Sequence, residues 1–237
     1  MELHEEVVKY LTNTLKILNS DSSPVLLLLS GGSNLSYLDK IPSDVFNNKI
    51  TISTLDERYT NDATKSNMAQ IKSIDTFYKN AMLSDCNFID TVIQSNESRD
   101  QMAIRINNEI LHWLEFNSKG KVVITAGIGS DGHISGMKPL DKETFTELFE
   151  DKNLNKLITG YDASSVDSEN PQRVTTNMNF FRRIKDISHI IVYAIGKDEA
   201  LKKVSNPIGK LNETPARILR EMPNVKYFTD IANFNIK

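Results

Sequence analysis

The sequence predicts an α/β protein with a doubly wound, mostly parallel sheet and helices on both faces. Short apolar segments recur along the whole chain, and amphipathic helical patterns lie between them. The first apolar segment is continuous rather than alternating, as expected for a strand buried on both faces. No linker, repeat or low-complexity segment interrupts this alternation. We therefore expect residues 1–237 to form a single Rossmann-like domain.

The chain begins with a predicted helix and a buried strand. From Glu2 to Asn19, apolar residues recur at intervals of three and four, which places them on one stripe of an amphipathic helix. A turn-rich segment then leads to the predicted strand Val25 to Leu29, with the sequence VLLLL. Similar short runs predict further strands at Ile50 to Leu55, Asn87 to Ile93, Val122 to Ala126, His189 to Ile195 and Val225 to Phe228.

Helices are predicted between these strands. The clearest runs from Glu97 to Asn117, where apolar residues share one face and charged residues occupy the rest. A second is predicted from Asp198 to Val204. A third is predicted from Thr214 to Met222, with Thr214 as its N-cap and Pro215 at its first position. The alternation of these helices with the strands supports the parallel sheet.

Composition and charge exclude several classes of protein. Lys plus Arg number 28 and Asp plus Glu 31, which gives a net charge of −3 without a basic block, so we expect no nucleic-acid or anionic-membrane surface. One cysteine, Cys86, and four histidines exclude a disulfide framework and a multi-cysteine zinc site. The acidic N-terminus is unlike a signal peptide, and the longest apolar run is far shorter than the ~20 residues of a membrane span. We expect a soluble cytoplasmic protein.

The first strand leads into a possible phosphate-binding loop, Ser30-Gly31-Gly32-Ser33-Asn34. Ligands of open parallel sheets bind where loops leave the carboxyl ends of the strands. The backbone amides of Gly31 and Gly32 and the hydroxyl of Ser33 suit a phosphate at the start of the next helix. An ordinary strand-to-helix turn has a similar composition, so the motif alone leaves both interpretations open.

The second strand ends in a charged motif, Leu55-Asp56-Glu57-Arg58-Tyr59. A solvated surface cluster is one interpretation. The position after a buried strand favours another, in which Arg58 makes a two-pronged contact with a phosphate or carboxylate and Asp56 lies at the mouth of the crevice.

A glycine-rich segment, Gly127 to His133 (GIGSDGH), follows the strand Val122 to Ala126. It has the spacing of the dinucleotide-binding motif G-x-G-x-x-G. That motif needs a helix that starts within the glycines, but Gly136 and Pro139 interrupt the residues that follow. We expect Gly129 and Gly132 to bring backbone amides close to a small substrate instead.

His133 is the candidate general base. Neutral imidazole is the usual base near pH 7, and Asp131 lies two residues away. The other histidines have structural explanations, because His4 lies in a terminal helix, His112 lies beside a tryptophan on an amphipathic helix, and His189 opens a core strand.

A further motif is Asn170 to Thr175 (NPQRVT). It is either an edge strand with an exposed charge or, if its start faces the crevice, the source of a second phosphate clamp at Arg173. The polar segment before it, residues 138–170, has the weakest pattern of the chain and is predicted as a helix followed by a loop.

Four motifs together resemble the 6-phosphogluconolactonases across residues 24–230. They are SGGS at Ser30 to Ser33, LDER at Leu55 to Arg58 with a later Ser66-Asn67, GIGSDGH at Gly127 to His133, and PQRVT at Pro171 to Thr175. The resemblance implies hydrolysis of 6-phosphoglucono-δ-lactone to 6-phosphogluconate in the oxidative pentose phosphate pathway, without a metal or cofactor. It implies a small sugar-phosphate lactone as the partner and leaves the oligomeric state open.

The wider superfamily includes the glucosamine-6-phosphate deaminases, which provide the alternative function. They are similar at Asp56 and at Asp131 to His133, but they carry a glutamate five residues after the histidine, where this chain has Lys138. The chain also departs from the lactonases at Asn34 and Leu35, where a proline is usual, and at Ile134 to Lys138. A non-catalytic sugar-phosphate sensor is a third possibility, but such sensors usually carry an added DNA-binding segment.

A mechanism follows as a hypothesis. His133 deprotonates water, and Asp131 or Asp56 orients the imidazole. The amides of residues 127–132 receive the charge that develops on oxygen. The phosphate and sugar hydroxyls are expected to be held by Gly31, Gly32, Ser33, Arg58 and Arg173.

Overall fold

The computed structural model describes residues 3–232, 234 and 236, and contains nine strands and seven α-helices within them. The strands are β1 (Val25–Leu29), β2 (Ile50–Thr54), β3 (Asp56–Arg58), β4 (Asn87–Phe88), β5 (Lys121–Ala126), β6 (Ile158–Asp162), β7 (Gln172–Thr176), β8 (Ser188–Ala194) and β9 (Val225–Thr229). The helices are α1 (Leu3–Ser20), α2 (Asn67–Ser73), α3 (Asp75–Leu83), α4 (Arg99–Phe116), α5 (Lys142–Phe149), α6 (Met178–Arg183) and α7 (Asp198–Ser205).

Six strands form a parallel sheet in the order β4-β2-β1-β5-β8-β9. The central strand β1 pairs with β2 on one side and with β5 on the other, so that Val25 lies opposite both Ile50 and Lys121. Every residue of β1 and β2 is buried, as a parallel sheet covered on both faces requires. The predicted α/β class with a mostly parallel sheet is confirmed.

Two apolar clusters cover the two faces of this sheet. Successive strand side chains point to opposite faces. Leu26 and Leu28 of β1 accordingly belong to the cluster that contains the apolar side of α4, whereas Leu27 and Leu29 belong to the cluster that contains the apolar side of α1. Helices therefore lie on both faces. Among the described residues, no helix is long and apolar enough to cross a membrane.

A second, three-stranded sheet in the order β3-β7-β6 is antiparallel and was not predicted. The motif at Asp56 to Arg58 forms a strand of this sheet rather than a loop, and the segment expected to be a helix followed by a loop contains α5 and then β6. The residue between β2 and β3, Leu55, accepts a hydrogen bond from the amide of Thr176, which joins the two sheets. The strands are short and polar, and their partners are distant in sequence, so local patterns predicted only β7. It was offered as an edge strand with an exposed charge, whereas it is the central strand of this sheet and its Arg173 is buried.

Other predicted boundaries also change. The predicted strand from Asn87 to Ile93 contains only the two residues of β4, and the predicted start of the first helix at Glu2 lies outside the described residues. The predicted helix from Thr214 is a 3-10 helix, Pro215–Glu221, and the Thr214 side chain makes no capping bond. A short 3-10 helix, Gly32–Leu35, replaces the α-helix expected after the first strand.

Candidate active site

A cleft of about 340 Å³ lies beyond the carboxyl ends of the central parallel strands. Its wall includes the loops that follow β1 and β5, side chains of β3 and β7, and the start of α7. A larger cleft of about 490 Å³ lies between α4 and β6, but its lining contains neither a histidine nor an arginine. The smaller cleft brings together residues from all four of the motifs that carried the sequence prediction.

The loop after β1 presents unused hydrogen-bond donors to the cleft. Gly31, Gly32 and Ser33 all line it, and Gly32 adopts a positive φ of 66°, which glycine accepts without strain. Among the described residues, no acceptor contacts the backbone amides of these three residues or the hydroxyl of Ser33. Such amides suit an anionic ligand.

Asn67 links this loop to Arg58. The Arg58 Nη1 donates to Asn67 Oδ1 at 2.6 Å, while Asn67 Nδ2 donates to the carbonyl of Asp56 at 2.8 Å. A Cβ atom at Gly31 would lie 2.0 Å from Asn67 Oδ1, so only glycine allows this approach. The Nε and Nη2 of Arg58 have no partner within the described residues, and Nε is buried, so Nη2 is the nitrogen left for a ligand.

Glu57, within the same motif, is a structural acid that the sequence prediction assigned no role. Its buried carboxylate accepts hydrogen bonds from three backbone amides and two hydroxyls, those of Arg58, Asn67, Met68, Ser66 and Thr91. Burial raises the pKa of Glu57 to about 7, and these hydrogen bonds act in the opposite direction. Glu57 thereby fastens the start of α2, and with it Asn67, to β3.

His133 and Asp131 form a hydrogen-bonded pair in the loop after β5. The His133 Nδ1 lies 2.6 Å from Asp131 Oδ1, and the His133 amide donates to the same oxygen at 3.1 Å. Burial opposes ionisation of Asp131, but its bonds to His133 and the nearby positive charges outweigh burial and hold the pKa of this carboxyl well below its usual range. The acid that contacts the imidazole is therefore Asp131, whereas the carboxylate of Asp56 contacts Arg173.

Gly129 and Gly132 of this loop contribute to its shape and do not offer free amides. The Gly129 amide donates to the His133 carbonyl, and the Gly132 amide donates to the Gly129 carbonyl. Both amides are committed within the loop, which corrects the expectation that they bind a ligand, and Gly132 does not line the cleft. A Cβ atom at Gly129 would lie 2.1 Å from the His133 Nδ1, so this glycine makes room for the imidazole.

A chain of alternating charges extends from His133 to Asp56. Lys138 Nζ lies 3.4 Å from Asp131 Oδ2 and 3.5 Å from Asp167 Oδ2. Asp167 in turn contacts Arg173 Nη2 at 2.5 Å, and Arg173 Nη1 lies 3.5 Å from Asp56 Oδ2. We call the set His133, Asp131, Lys138, Asp167, Arg173 and Asp56 the ion chain.

Arg173 therefore differs from its predicted role as a free phosphate clamp. Only 5% of the residue is exposed, and it is bound by two carboxylates and by the carbonyl of Asn170. Burial opposes ionisation of Asp167, yet its hydrogen bonds from Asn170 and Arg173 and the charges of Arg173 and Lys138 lower its pKa. Sequence reasoning missed Asp167 because it lies in the polar segment before β7, where local patterns carry little information.

Lys197 is a second residue that sequence reasoning missed. It is the N-cap residue of α7, just beyond β8, and it lines the cleft. No carboxylate within the described residues pairs with its ammonium group. The position of Gly196-Lys197 directly after a buried parallel strand was the signal that could have identified it.

Comparison with known proteins shows the family of this chain. The family model described as glucosamine-6-phosphate isomerases/6-phosphogluconolactonase matches residues 1–227. The chain belongs to this family. No curated protein sequence matches the chain. The family implies a sugar phosphate as the substrate class.

Solved structures of family members share the fold. A 6-phosphogluconolactonase from Shewanella baltica superposes with a TM-score of 0.71 at 17% identity, covering 96% of this chain and 92% of its own. One from Thermotoga maritima gives 0.69 at 20% identity, covering 97% and 95%. A monomeric glucosamine-6-phosphate deaminase gives 0.62 at 16% identity, covering 96% and 92%.

Two residues of the cleft loops, Asn34 and Ser135, make side-chain hydrogen bonds. Asn34 is buried and accepts a hydrogen bond from the Tyr37 hydroxyl at 2.8 Å. Ser135, two residues after His133, has a positive φ of 56°, and its hydroxyl donates to the Leu55 carbonyl at 2.8 Å. Both residues therefore fasten loops of the cleft by hydrogen bonds.

Proposed function

We propose that this member of the family hydrolyses 6-phosphoglucono-δ-lactone to 6-phosphogluconate. The observation that carries the proposal is the His133–Asp131 pair at a cleft that also contains unused donors for a phosphate. This reaction would place the protein in the oxidative pentose phosphate pathway, in the cytoplasm.

The imidazole has the arrangement that a general base requires. An ionised carboxylate only accepts hydrogen bonds, so the short contact with Asp131 assigns the proton of neutral His133 to Nδ1. The Nε2 atom then carries the lone pair, and it has no partner within the described residues. His133 lines the cleft, so we expect Nε2 to meet a water molecule there.

The reaction can be written with this base alone. Nε2 of His133 takes a proton from water as the water oxygen adds to the lactone carbonyl carbon. The bond between that carbon and the ring oxygen then breaks, and the imidazolium returns the proton to the departing ring oxygen. Asp131 keeps the imidazole oriented and stabilises it while it is charged. General-base catalysis of this kind contributes about 10²- to 10⁴-fold to the rate.

The phosphate is assigned to the donors that the protein leaves free. These are the amides of Gly31, Gly32 and Ser33, the unpartnered Nη2 of Arg58 and the ammonium group of Lys197. Arg173 is given a different role, because its guanidinium is already bound by Asp56 and Asp167. We propose that Arg173 and Asp56 shape the cleft rather than clamp the phosphate.

Glucosamine-6-phosphate deamination is the alternative activity of the family. Lys138 stands where the deaminases carry the glutamate of their ring-opening relay, and its ammonium group contacts the His133–Asp131 pair. A cation cannot accept the protons that this carboxylate accepts. This contact favours the lactonase, and release of ammonia from glucosamine 6-phosphate would reverse the assignment.

The test is a lactonase assay on freshly prepared 6-phosphogluconolactone, with the spontaneous hydrolysis subtracted. We expect His133→Ala to lower kcat about 10²- to 10⁴-fold with the fold intact by circular dichroism. His112→Ala is the matched control, because His112 is an exposed helical histidine that stacks on Phe116, away from the cleft. Full activity in His133→Ala would remove this histidine from the mechanism.

A further inference from the structure

Lys138 is the basic side chain in contact with the His133–Asp131 pair. Its Nζ lies 3.3 Å from His133 Nδ1 and 3.4 Å from Asp131 Oδ2. Its side chain is 12% exposed, so solvent screens these contacts less than at an open surface. A partly buried ammonium so close to an imidazole opposes protonation of that imidazole, because the two positive charges repel.

Asp131 has the opposite effect on His133, so the imidazole lies between two competing charges. The ion chain contains three carboxylates, two permanent cations and His133. With a neutral imidazole its charge is therefore −1, and with an imidazolium it is zero. Without Lys138 the charge around a neutral imidazole would be −2, which favours uptake of a proton more strongly.

Other charged groups face the same cleft from the elements packed around it. Asp167 and Glu169 come from the segment between β6 and β7, Arg173 from β7, Asp56 and Arg58 from β3, and Lys197 from the start of α7. Apart from Asp131, Lys138 is the only charged side chain among the described residues that contacts the imidazole directly. Its removal therefore has a larger effect on His133 than removal of any of these groups.

We propose that Lys138 is a positioning residue that shares Asp131 with His133 and, through its charge, opposes protonation of the imidazole. The Lys138–Asp167 contact holds the ammonium in place and connects the base to Arg173 and Asp56. The inference rests on the proposed function only for its catalytic consequence. The electrostatic effect on His133 exists whatever the substrate is.

The first experiment needs no substrate. The protonation of His133 is followed by NMR of the histidine ring protons against pH, and its signal is identified among those of the four histidines by its absence in His133→Ala. We expect Lys138→Met to move the titration midpoint of His133 upward by about one pH unit, a tenfold rise in proton affinity. Lys138→Gln, which keeps a hydrogen-bond donor without the charge, should move it in the same direction.

Two further variants separate charge from structure. Lys138→Arg retains the positive charge and should restore the wild-type midpoint. Lys142→Met removes an equal charge from the exposed first turn of α5, four residues away, and should leave the midpoint unchanged. An unchanged midpoint in both folded Lys138→Met and Lys138→Gln would overturn the proposal, and so would an equal shift in Lys142→Met.

The second experiment measures kcat/KM of the lactonase reaction against pH. Lys138→Met should move the acidic limb of the profile upward by the same one unit, with Lys138→Arg returning it to the wild-type position. A shifted NMR midpoint in a protein without lactonase activity would refute the proposed function and leave the role of Lys138 standing. An active enzyme whose acidic limb does not move would refute the role of Lys138 alone.

Discussion

The cleft contains two sets of charged and polar groups that differ in how they are partnered. In the ion chain, every member contacts at least one other member, and Arg173 and Asp56 are almost fully buried. In the open donor set, which comprises the amides of Gly31, Gly32 and Ser33 and the ammonium group of Lys197, no partner is present among the described residues. Arg173 is thus bound by carboxylates, whereas Lys197, in the same cleft, has no carboxylate partner within the described residues.

This difference indicates that the two sets have different roles, one in the structure of the site and one in ligand binding. A buried charge without its partner costs several kcal/mol, so the ion chain must be satisfied within the protein before any ligand arrives. Exposed donors bind water when no ligand is present, so leaving them without a protein partner costs little free energy. They therefore remain available to an anion. We therefore expect changes in the ion chain to affect folding or turnover, and changes in the open donor set to affect binding.

The largest expected effect is on stability. Arg173→Met leaves the carboxylates of Asp56 and Asp167 without their main partner, and we expect it to lower the free energy of unfolding by about 3–5 kcal/mol in urea denaturation. Arg182→Met is the matched control, since Arg182 pairs with Glu150 and Glu221 but is 41% exposed, and it should cost about 1 kcal/mol or less. Equal losses in the two variants would remove the distinction between buried and exposed pairs.

The next effect is on turnover. Gly129→Ala places a Cβ atom where His133 Nδ1 and Asp131 Oδ1 now lie, so the imidazole must move. A displacement of about 1 Å costs roughly 10²-fold in rate, and we expect kcat of the proposed lactonase reaction to fall by about that factor. The neighbouring change Ser130→Ala, at an exposed residue, should leave kcat within twofold. If Gly129→Ala keeps the wild-type kcat, the position of His133 is not what limits turnover.

The smallest expected effect is on binding. Lys197→Met removes one unpartnered cation of the open donor set, and we expect KM for the phosphorylated lactone to rise about tenfold, or about 1.4 kcal/mol, with kcat unchanged. Lys202→Met, on the same helix but exposed and paired with Glu199, should change neither constant. An equal rise in KM for an unphosphorylated lactone would show that Lys197 does not bind the phosphate.

The parts of this protein that the sequence predicted are those with local signals. The continuous apolar runs at Val25 to Leu29 and Val122 to Ala126 predicted buried parallel strands, and the glycine-rich loops after them predicted the position of the cleft. His133 was singled out in the same way, by its place in such a loop. Each of these signals lies within about ten residues of the feature that it predicts.

The features that the sequence did not predict depend on contacts between distant segments. The three-stranded antiparallel sheet pairs Arg58 with Arg173, residues that no local pattern connects. Both Arg58 and Arg173 were predicted to clamp a phosphate. In the structure, Arg58 keeps guanidinium nitrogens without a partner among the described residues, whereas Arg173 is bound by two carboxylates. Burial and the partners of a charge are properties of the packed molecule, so the chemical roles of these two arginines could not be separated from sequence.

Local signals were enough to predict the fold class and the candidate base, because alternating hydrophobicity and glycine-rich strand ends are encoded within short segments. The packed molecule was needed to learn which acid contacts His133, which arginine is bound by carboxylates, and that Lys138 contacts the imidazole. The physical reason is that electrostatic interactions depend on distance and burial, and both are fixed when segments far apart in the chain pack together.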